Sequence, residues 1–421
     1  MDVYSELEWR GMLSDSTEGL RAALLAAPMT GYIGFDPTAS SLHVGSLLTI
    51  MGLARLQRFG HTPIAIVGGG TGMIGDPSGK SQERVLLSKA DVDVNVAGIR
   101  AQLEKFLDFG ATANRARIVD NADWLGAIDV LSFLRDVGKH FTVNYMLQKE
   151  SVARRLESEE GISYTEFSYL VLQAYDFLQL FDRYGCTLQL GGSDQWGNIT
   201  AGIELVRKLR GQKLHGLVWP LMTTSSGVKF GKTEAGAVWL DPQRTSPFHF
   251  YQFWLNTDDR DVVRYLKCFT FLSRDVIESL SRATSERPEA RDAQRALARE
   301  VTTIVHGADQ VARAERAASV LFNDNLTSAA VDDVLMVLAD APSTELALPD
   351  GGISLVELLA TVKLATSRSE ATRLVKSGGV YVNNVRAQDE KARLTIEDAI
   401  GGEVIVLRKG RKDQHVIRVR H

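Results

Sequence analysis

The chain has 421 residues, 44% of them hydrophobic and 24% charged, more than one typical domain needs and enough apolar material for a real core. No apolar run approaches the roughly 18 residues of a membrane span, so no membrane partner is expected, and two distant cysteines, Cys186 and Cys268, exclude a disulfide framework or a Cys-x-x-Cys zinc site. The net charge of −4 hides an asymmetry: residues 351–421 carry 13 Lys and Arg against 8 Asp and Glu, while the preceding part carries 35 against 44, so a polyanion partner is expected at the basic end.

The opening residues, Met1 to Arg10, carry acids where a secretion signal would be basic, and no apolar stretch follows, so a cytoplasmic protein is expected. Between Thr30 and Thr224, β-rich runs at Gly31–Phe35, Pro63–Val67, Arg117–Val119, Thr187–Leu190 and Leu217–Met222 alternate with helical stretches such as Ser41–Phe59 and Phe167–Tyr184. That alternation predicts an α/β fold, a parallel sheet with helices on both faces and ligands bound beyond the carboxyl ends of the strands. Asp36, Gly68–Asp76, Asn121 and Gly191–Gln195 fall at those ends. Residues 91–161 read as amphipathic helices inserted between the halves of the sheet, with Val130–Val137 and Phe141–Met146 apolar enough for core or for a subunit contact.

After Pro247 the pattern is helical, including Val262–Leu272 and Ala290–Val305, which predicts a helical domain over 247–330. Residues 331–350, with Pro342 and Pro349, read as a linker. A third unit over 351–421 follows, with helices at Leu355–Leu364 and Arg368–Ser377 and strands at Val380–Val382 and Val404–Leu407.

Four stretches bear on chemistry. Tyr32-Ile-Gly34-Phe-Asp36-Pro-Thr38 breaks a strand, and a helix restarts near Ser41 with His43 and Gly45 in its first turn; the orphan N–H groups there suit a phosphate. Gly45 would let a planar base or ribose approach the backbone. Tyr169, Gln173 and Asp176 share one face of an otherwise apolar helix, and they either converge on a small polar ligand or satisfy each other in a buried network. Gly191-Gly-Ser-Asp194-Gln195-Trp repeats the strand, glycine turn and helix layout, with Ser193 or Asp194 a possible N-cap. Gly75 to Ser81 and Gly227 to Thr233 imitate phosphate-binding P-loops but each is one residue short, leaving flexible backbone with Lys80 or Lys232. Gly70-Thr-Gly-Met-Ile-Gly75 fits a dinucleotide fingerprint, yet Asp76-Pro77 follows where a helix should open, which sets a dehydrogenase aside.

Together these motifs resemble the bacterial tyrosyl-tRNA synthetases, class I aminoacyl-tRNA synthetases, over nearly the whole chain. The signals are Gly34-Phe-Asp-Pro-Thr38, His43-Val-Gly-Ser46, Gly191-Gly-Ser-Asp-Gln-Trp196 and Lys229-Phe-Gly-Lys-Thr233, the last similar to the Lys-Met-Ser-Lys-Ser loop of that class. Ser46 departs from the family, which usually has histidine there. The resemblance implies a Rossmann-like catalytic domain over 1–224, the signature loop and connection over 225–246, the helical domain, and a tail like the RNA-binding domain of ribosomal protein S-four. It implies that Tyr32 and Asp176 bind the substrate phenol, and that Asp76, Tyr169 and Gln173 hold the ammonium. Gly34, Asp36, His43, Gly45, Gly191, Asp194, Gln195 and Lys232 correspond to ATP-binding positions, and Thr38, His43, Lys80, Arg84, Lys229, Lys232 and Thr233 to the catalytic groups facing the triphosphate. ATP as substrate with Mg2+ carried on its phosphates, L-tyrosine, tRNA(Tyr) and a homodimer follow from the same resemblance, with no protein-built metal site. A non-catalytic RNA-binding protein and a tryptophan enzyme are the competing readings; Tyr32 with Asp176 and the basic tail favour tyrosine.

Overall fold

The structure, a computed structural model, describes residues 2–78, 86–157, 161–228, 230–233, 236–321, 325–339, 341–349, 351–410 and 413–420; side chains at 151, 232, 233 and 319–321 are outside that description. The chain divides into two compact units, Met1–Thr245 with Trp254–Val305, and Ser246–Phe253 with His306–His421.

The first unit opens with α1 (Val3–Trp9), β1 (Asp15–Ser16) and α2 (Leu20–Ala26), then alternates β2 (Thr30–Phe35), α3 (Val44–Arg58), β3 (Thr62–Val67), α4 (Lys89–Leu103) and β4 (Arg117–Asp120). Short helices follow, α5 (Ala122–Leu125), α6 (Val130–Ser132), α7 (Val143–Leu147) and α8 (Glu150–Leu156), before α9 (Tyr164–Tyr184), β5 (Leu188–Gly192), α10 (Trp196–Arg210) and β6 (His215–Trp219). The sheet order is β1-β6-β5-β2-β3-β4. Strands β2 to β6 are parallel and β1 is an antiparallel edge. Chain order runs outward from β2 in one direction and from β5 in the other, so the switch point lies between them, where a crevice opens at the carboxyl edge. β3 is apolar and buried from Pro63 to Val67, as a strand with helices on both faces requires. α3 buries Leu47, Leu48, Ile50, Met51 and Leu53 and approaches β6 at Gly52, where a Cβ would stand 2.6 Å from the Trp219 ring.

Several boundaries differ from expectation. β6 stops at Trp219 rather than Met222 because Pro220 has no N–H for the ladder. α3 begins at Val44, so His43 is its N-cap rather than a member of its first turn. α4 and β4 belong to the alternation, which shortens the helical insertion to the run from α5 to α8.

Past β6, β7 (Lys232–Thr233) pairs with β8 (Gly236–Ala237), and α11 (Pro247–Leu255), α12 (Asp259–Phe269), α13 (Arg274–Glu286), α14 (Asp292–His306) and α15 (Ala308–Leu321) follow. The residues expected to form one helical domain are divided: α12 and α13 group with the first unit, α15 with the second. Two buried arginines clamp the end of α12. Arg10 donates to the carbonyls of Lys267 at 2.7 Å and Leu272 at 2.8 Å, and Arg55 on α3 donates to that of Thr270 at 2.7 Å. Cations at a helix C-terminus are favoured by the carbonyl dipoles, yet burial, with Arg10 alongside, pulls the Arg55 guanidinium down to about 9.

The second unit ends in α16 (Val331–Val337), β9 (Ser343–Ala347), β10 (Ile353–Ser354), α17 (Leu355–Thr361), α18 (Arg368–Lys376), β11 (Val380–Val382), β12 (Val385–Arg386), β13 (Arg393–Leu394), β14 (Val404–Lys409) and β15 (Asp413–Arg420). Its main sheet runs β12-β11-β14-β15-β9, antiparallel except for β15 beside β9. Asn383 and Asn384, both at positive φ, turn β11 into β12. Alternation along β14 feeds two cores: Ile405 and Leu407 pack with α17 and α18, while Val404 and Val406 pack with Leu326 and Val334. The stretch read as a linker therefore holds a helix and an edge strand of this unit, unseen in sequence because β9 pairs with residues some seventy positions later.

Candidate active site

A cavity of about 610 Å³ lies in the first unit at the switch point. Tyr32, Gly34, Asp36, Thr38, His43, Gly45, Ser46, Asp76, Tyr169, Gln173, Asp176, Gly191, Asp194 and Gln195 all line it. Lys80, Arg84 and Lys229 lie outside the described residues, and Lys232 and Thr233 are described in backbone only, in β7.

α9 supplies one wall. Ser163 caps it by accepting from the Glu166 amide, Gly185 in the left-handed region ends it, and Leu170, Val171, Ala174 and Phe177 bury its apolar face. Tyr169, Gln173 and Asp176, at spacings of four and three, are delivered to the cavity together. Asp176 is buried and doubly held: Oδ1 accepts from Trp124 Nε1 at 2.7 Å and Oδ2 from Asn121 Nδ2 at 3.0 Å. Burial pushes its carboxyl up to about 7, the two donors oppose that rise, and the charges of Asp36 and Asp120 add to it. Tyr32, on β2 beside Gln189 of β5, is 1% exposed, and its hydroxyl has no hydrogen-bond partner among the described residues. Burial, and then the Asp176 carboxylate, hold that phenol well above its ordinary value, so it remains a donor. An unmatched buried hydroxyl is costly, so a polar group is called for at this end of the cavity.

Two hydrogen-bonded chains run from there. In one, Tyr169 Oη donates to Asp36 at 2.7 Å, Thr71 Oγ1 donates to Asp36 at 2.8 Å, and Asn121 Nδ2 donates to Thr71 at 2.9 Å. In the other, Gln195 Nε2 donates to Asp76 at 2.7 Å, Gln173 Nε2 to Gln195 at 3.2 Å, and Asn198 Nδ2 to Gln173 at 3.0 Å. Asp36 and Gln195, matched to nucleotide groups in sequence, are thus bonded to Tyr169, Gln173 and Asp76, matched to the ammonium group. The two sets interlock. Four aspartates, Asp36, Asp76, Asp176 and Asp194, line the cavity and suit a cationic group.

The first turn of α3 forms the other side. The His43 imidazole accepts from the Gly45 amide at 3.0 Å through Nδ1. A Cβ on Gly45 would stand 2.7 Å from that ring, so any side chain there would displace the imidazole. Gly34 differs: a Cβ there would meet nothing within 4 Å, and its backbone is open to the cavity. On the β5 side neither Ser193 nor Asp194 caps α10; a 3-10 turn over Ser193–Gln195 precedes it, and Gln195 takes the N-cap position without a side-chain bond. Both cysteines are buried, and burial raises their thiols, Cys186 to about 12, as inert core residues require.

Sequence reasoning missed Trp124, Gln189 and Asn198, and placed Thr71, within Gly68–Asp76, and Asn121 only at strand ends. That position was a usable signal for Asn121. Trp124 had none, because its indole reaches Asp176 across 52 positions of sequence. Among the described residues no group of three His, Cys, Asp or Glu is placed to hold a metal ion, and no helix is long and apolar enough to cross a membrane.

The family model of tRNA synthetases class I (W and Y) matches residues 25–323, and that of the tyrosine–tRNA ligase SYY-like C-terminal domain matches 333–417. The chain is 57% identical to a tyrosine–tRNA ligase of Roseiflexus castenholzii over 99% of both chains, and 52% identical to one of Geobacillus kaustophilus over 99% of this chain and 100% of that one. Among solved structures it is similar to a C-terminally truncated mitochondrial tyrosyl-tRNA synthetase of Aspergillus nidulans, at 32% identity and a TM-score of 0.70 over 76% of this chain and 94% of that one. A Rossmann-like sheet with its cavity at the switch point, two family models that between them span most of the sequence, and full-length relatives above half identity lead to one conclusion: the chain belongs to the tyrosine–tRNA ligase family of class I aminoacyl-tRNA synthetases.

Proposed function

We propose that the cavity activates L-tyrosine with ATP, giving tyrosyl-adenylate and pyrophosphate, and that the tyrosyl group then passes to the 3′-terminal adenosine of tRNA(Tyr). The observation that carries this reading is the buried pair at the closed end, the unpartnered Tyr32 hydroxyl and the doubly held Asp176 carboxylate. The Tyr32 O–H donates to the substrate phenol oxygen, and the phenol O–H donates to Asp176. Phenylalanine in the same place leaves both groups buried and unmatched, which is why such sites discriminate strongly. Asp76, Gln173 and Tyr169 receive the ammonium, and Gly34, Asp36, Gly191, Asp194 and Gln195 the adenosine.

Chemistry needs no general base, since the tyrosine carboxylate is ionised at neutral pH. One carboxylate oxygen attacks the α-phosphorus; the new O–P bond forms as the bond to the β-phosphate oxygen breaks and pyrophosphate leaves with that electron pair. The protein's task is to hold the attack in line and to balance the charge growing on the leaving group. Thr38, His43 and the cations Lys80, Arg84, Lys229 and Lys232 serve it, with Thr233, and the Mg2+ that ATP brings joins them. Ser46 is shorter than the usual histidine but retains a hydroxyl at the cavity wall.

Residues 351–421, with their excess of Lys and Arg over Asp and Glu, suit the tRNA backbone. The exposed apolar side chains of Val130, Leu131, Val143 and Tyr164 form the face of a homodimer, and a cytoplasmic location suits such an enzyme. The test is tyrosine-dependent exchange of labelled pyrophosphate into ATP without tRNA, with phenylalanine and tryptophan in parallel. Exchange with tyrosine alone is expected; exchange with tryptophan, or with none of the three from folded protein, overturns the reading.

A further inference from the structure

The segment that leads into Lys229-Phe-Gly-Lys-Thr233 is seated on α12. Residues Thr224 to Gly227 form a turn closed by the Gly227 amide on the Thr224 carbonyl at 2.9 Å. The second residue of that turn, Ser225, makes two hydrogen bonds to one oxygen: its amide and its Oγ each donate to Asp261 Oδ2 at 3.0 Å. Asp261 lies in the first turn of α12, where a carboxylate is favoured by the helix dipole, and is 6% exposed, so it has little water to compete with the serine.

Five residues on, Phe230 inserts into an aromatic seat. Its ring stacks on Phe269 at 5.1 Å and 17°, meets Tyr265 edge-on at 4.9 Å, and lies tilted against Trp254 at 5.7 Å. Tyr265 and Phe269 belong to α12, so one helix holds the segment at two points. That helix is not free to shift, because Arg10 and Arg55 clamp its last carbonyls against α1 and α3. The segment's far side abuts the site: a Cβ on Gly231 would stand 3.2 Å from the Gly45 amide, and the Val44 amide bonds the Val238 carbonyl at 2.9 Å.

We propose that Asp261 is a positioning residue for activation: by holding Ser225, it sets the register in which the chain running through Phe230 presents its lysines to the triphosphate. The assignment rests on the reading that Lys232 faces the triphosphate. Asp261 touches no substrate and acts through the backbone. Nothing in the tyrosine end of the cavity depends on it, so its loss separates ATP use from tyrosine binding.

The experiment measures pyrophosphate exchange against ATP concentration, together with tyrosine affinity by intrinsic fluorescence, for D261A, S225P, the double variant, D261N and K232A. Proline suits the second position of a turn and removes both donors without touching α12, so S225P keeps the test alive if D261A fails to fold. D261A and S225P each lower kcat/KM for ATP about tenfold or more, as misplacement of a reacting group does, and the double variant is no worse than either single one because the two changes remove one interaction. D261N, whose amide oxygen still accepts, restores most of the rate. Tyrosine affinity stays unchanged throughout. A large loss in K232A with wild-type ATP parameters in both D261A and S225P overturns the positioning role, as does a parallel loss of tyrosine affinity. An unaffected K232A overturns the underlying reading of the lysine instead, which keeps the two failures apart.

Discussion

The Nδ1 atom of His43 accepts a hydrogen bond from the amide of Gly45, two residues ahead in the same helix turn, at 3.0 Å. An accepting Nδ1 leaves Nε2 as the protonated nitrogen of the neutral ring, so the helix start fixes both the tautomer and the plane of the imidazole. We propose that this N–H serves charge developing on the pyrophosphate. His43→Ala then lowers the single-turnover rate of adenylate formation by about two to three orders of magnitude, the usual loss for a preorganised donor, with tyrosine affinity unchanged. Gly45→Ala, whose methyl would displace the ring, lowers the same rate by at least about tenfold. Rapid-quench measurement of adenylate checks both.

Asp176 makes tyrosine binding depend on pH. Its carboxyl stands at about 7 in the folded protein against an ordinary 3.8, chiefly through burial. The native protein therefore holds this proton where the unfolded chain has lost it, and the group's contribution to stability, full below the ordinary value, is lost as pH rises through about 7. Binding runs the other way, because a phenol O–H needs the ionised carboxylate as acceptor. Tyrosine affinity falls as pH drops below about 7, approaching about tenfold per unit, and binding near pH 6 releases most of one proton. Calorimetry in two buffers of different ionisation heat measures the release; zero release, or affinity that falls above pH 7, counts against the assignment. Trp124→Phe removes a donor to Asp176 and moves the dependence to higher pH.

The boundary of the RNA-binding part is testable by truncation. Removing 325–421 deletes α16, β9 and everything after them, and tyrosine-dependent pyrophosphate exchange survives within about twofold while tRNA charging is lost. Cutting after Pro349 is worse although it removes less. It leaves Leu326 and Val334 without Val404, Val406 and Val416, and β9 without β15. Light scattering separates the two truncations by the aggregation of the second.

The homodimer assignment predicts a single-site effect. Leu131 and Tyr164 are each 75% exposed, large apolar side chains with no reason to face water in a lone subunit. Leu131→Asp or Tyr164→Asp shifts sedimentation from dimer to monomer, whereas Val94→Asp, on the exposed side of α4, does not.

Legibility in the sequence followed the range of the interaction. β2 and β3 were readable because apolar runs bounded by turns are local, and Tyr169, Gln173 and Asp176 because helical spacing is local. Strand ends placed Thr71 and Asn121 near the site without their partners, and Trp124 was not readable, since these contacts join groups some fifty positions apart. The contact between Gly45 and the His43 ring was not readable, because a clash with a side chain two residues back cannot be seen without its rotamer. β9 was hidden by two prolines and by a partner at the chain's end, and the grouping of α12 with the first unit by Arg10 and Arg55, whose carbonyl acceptors carry no sequence signal.

The place of β15 has a consequence for the making of the protein. It is an interior strand, between β14 and β9, although it is synthesised after both of them. Val416 and Ile417 complete the two cores on opposite faces of the sheet, so neither can close until β15 has been made. The first unit has all of its residues well before then and can settle on the nascent chain. The activation site is thus available from synthesis before either core of the second unit can close.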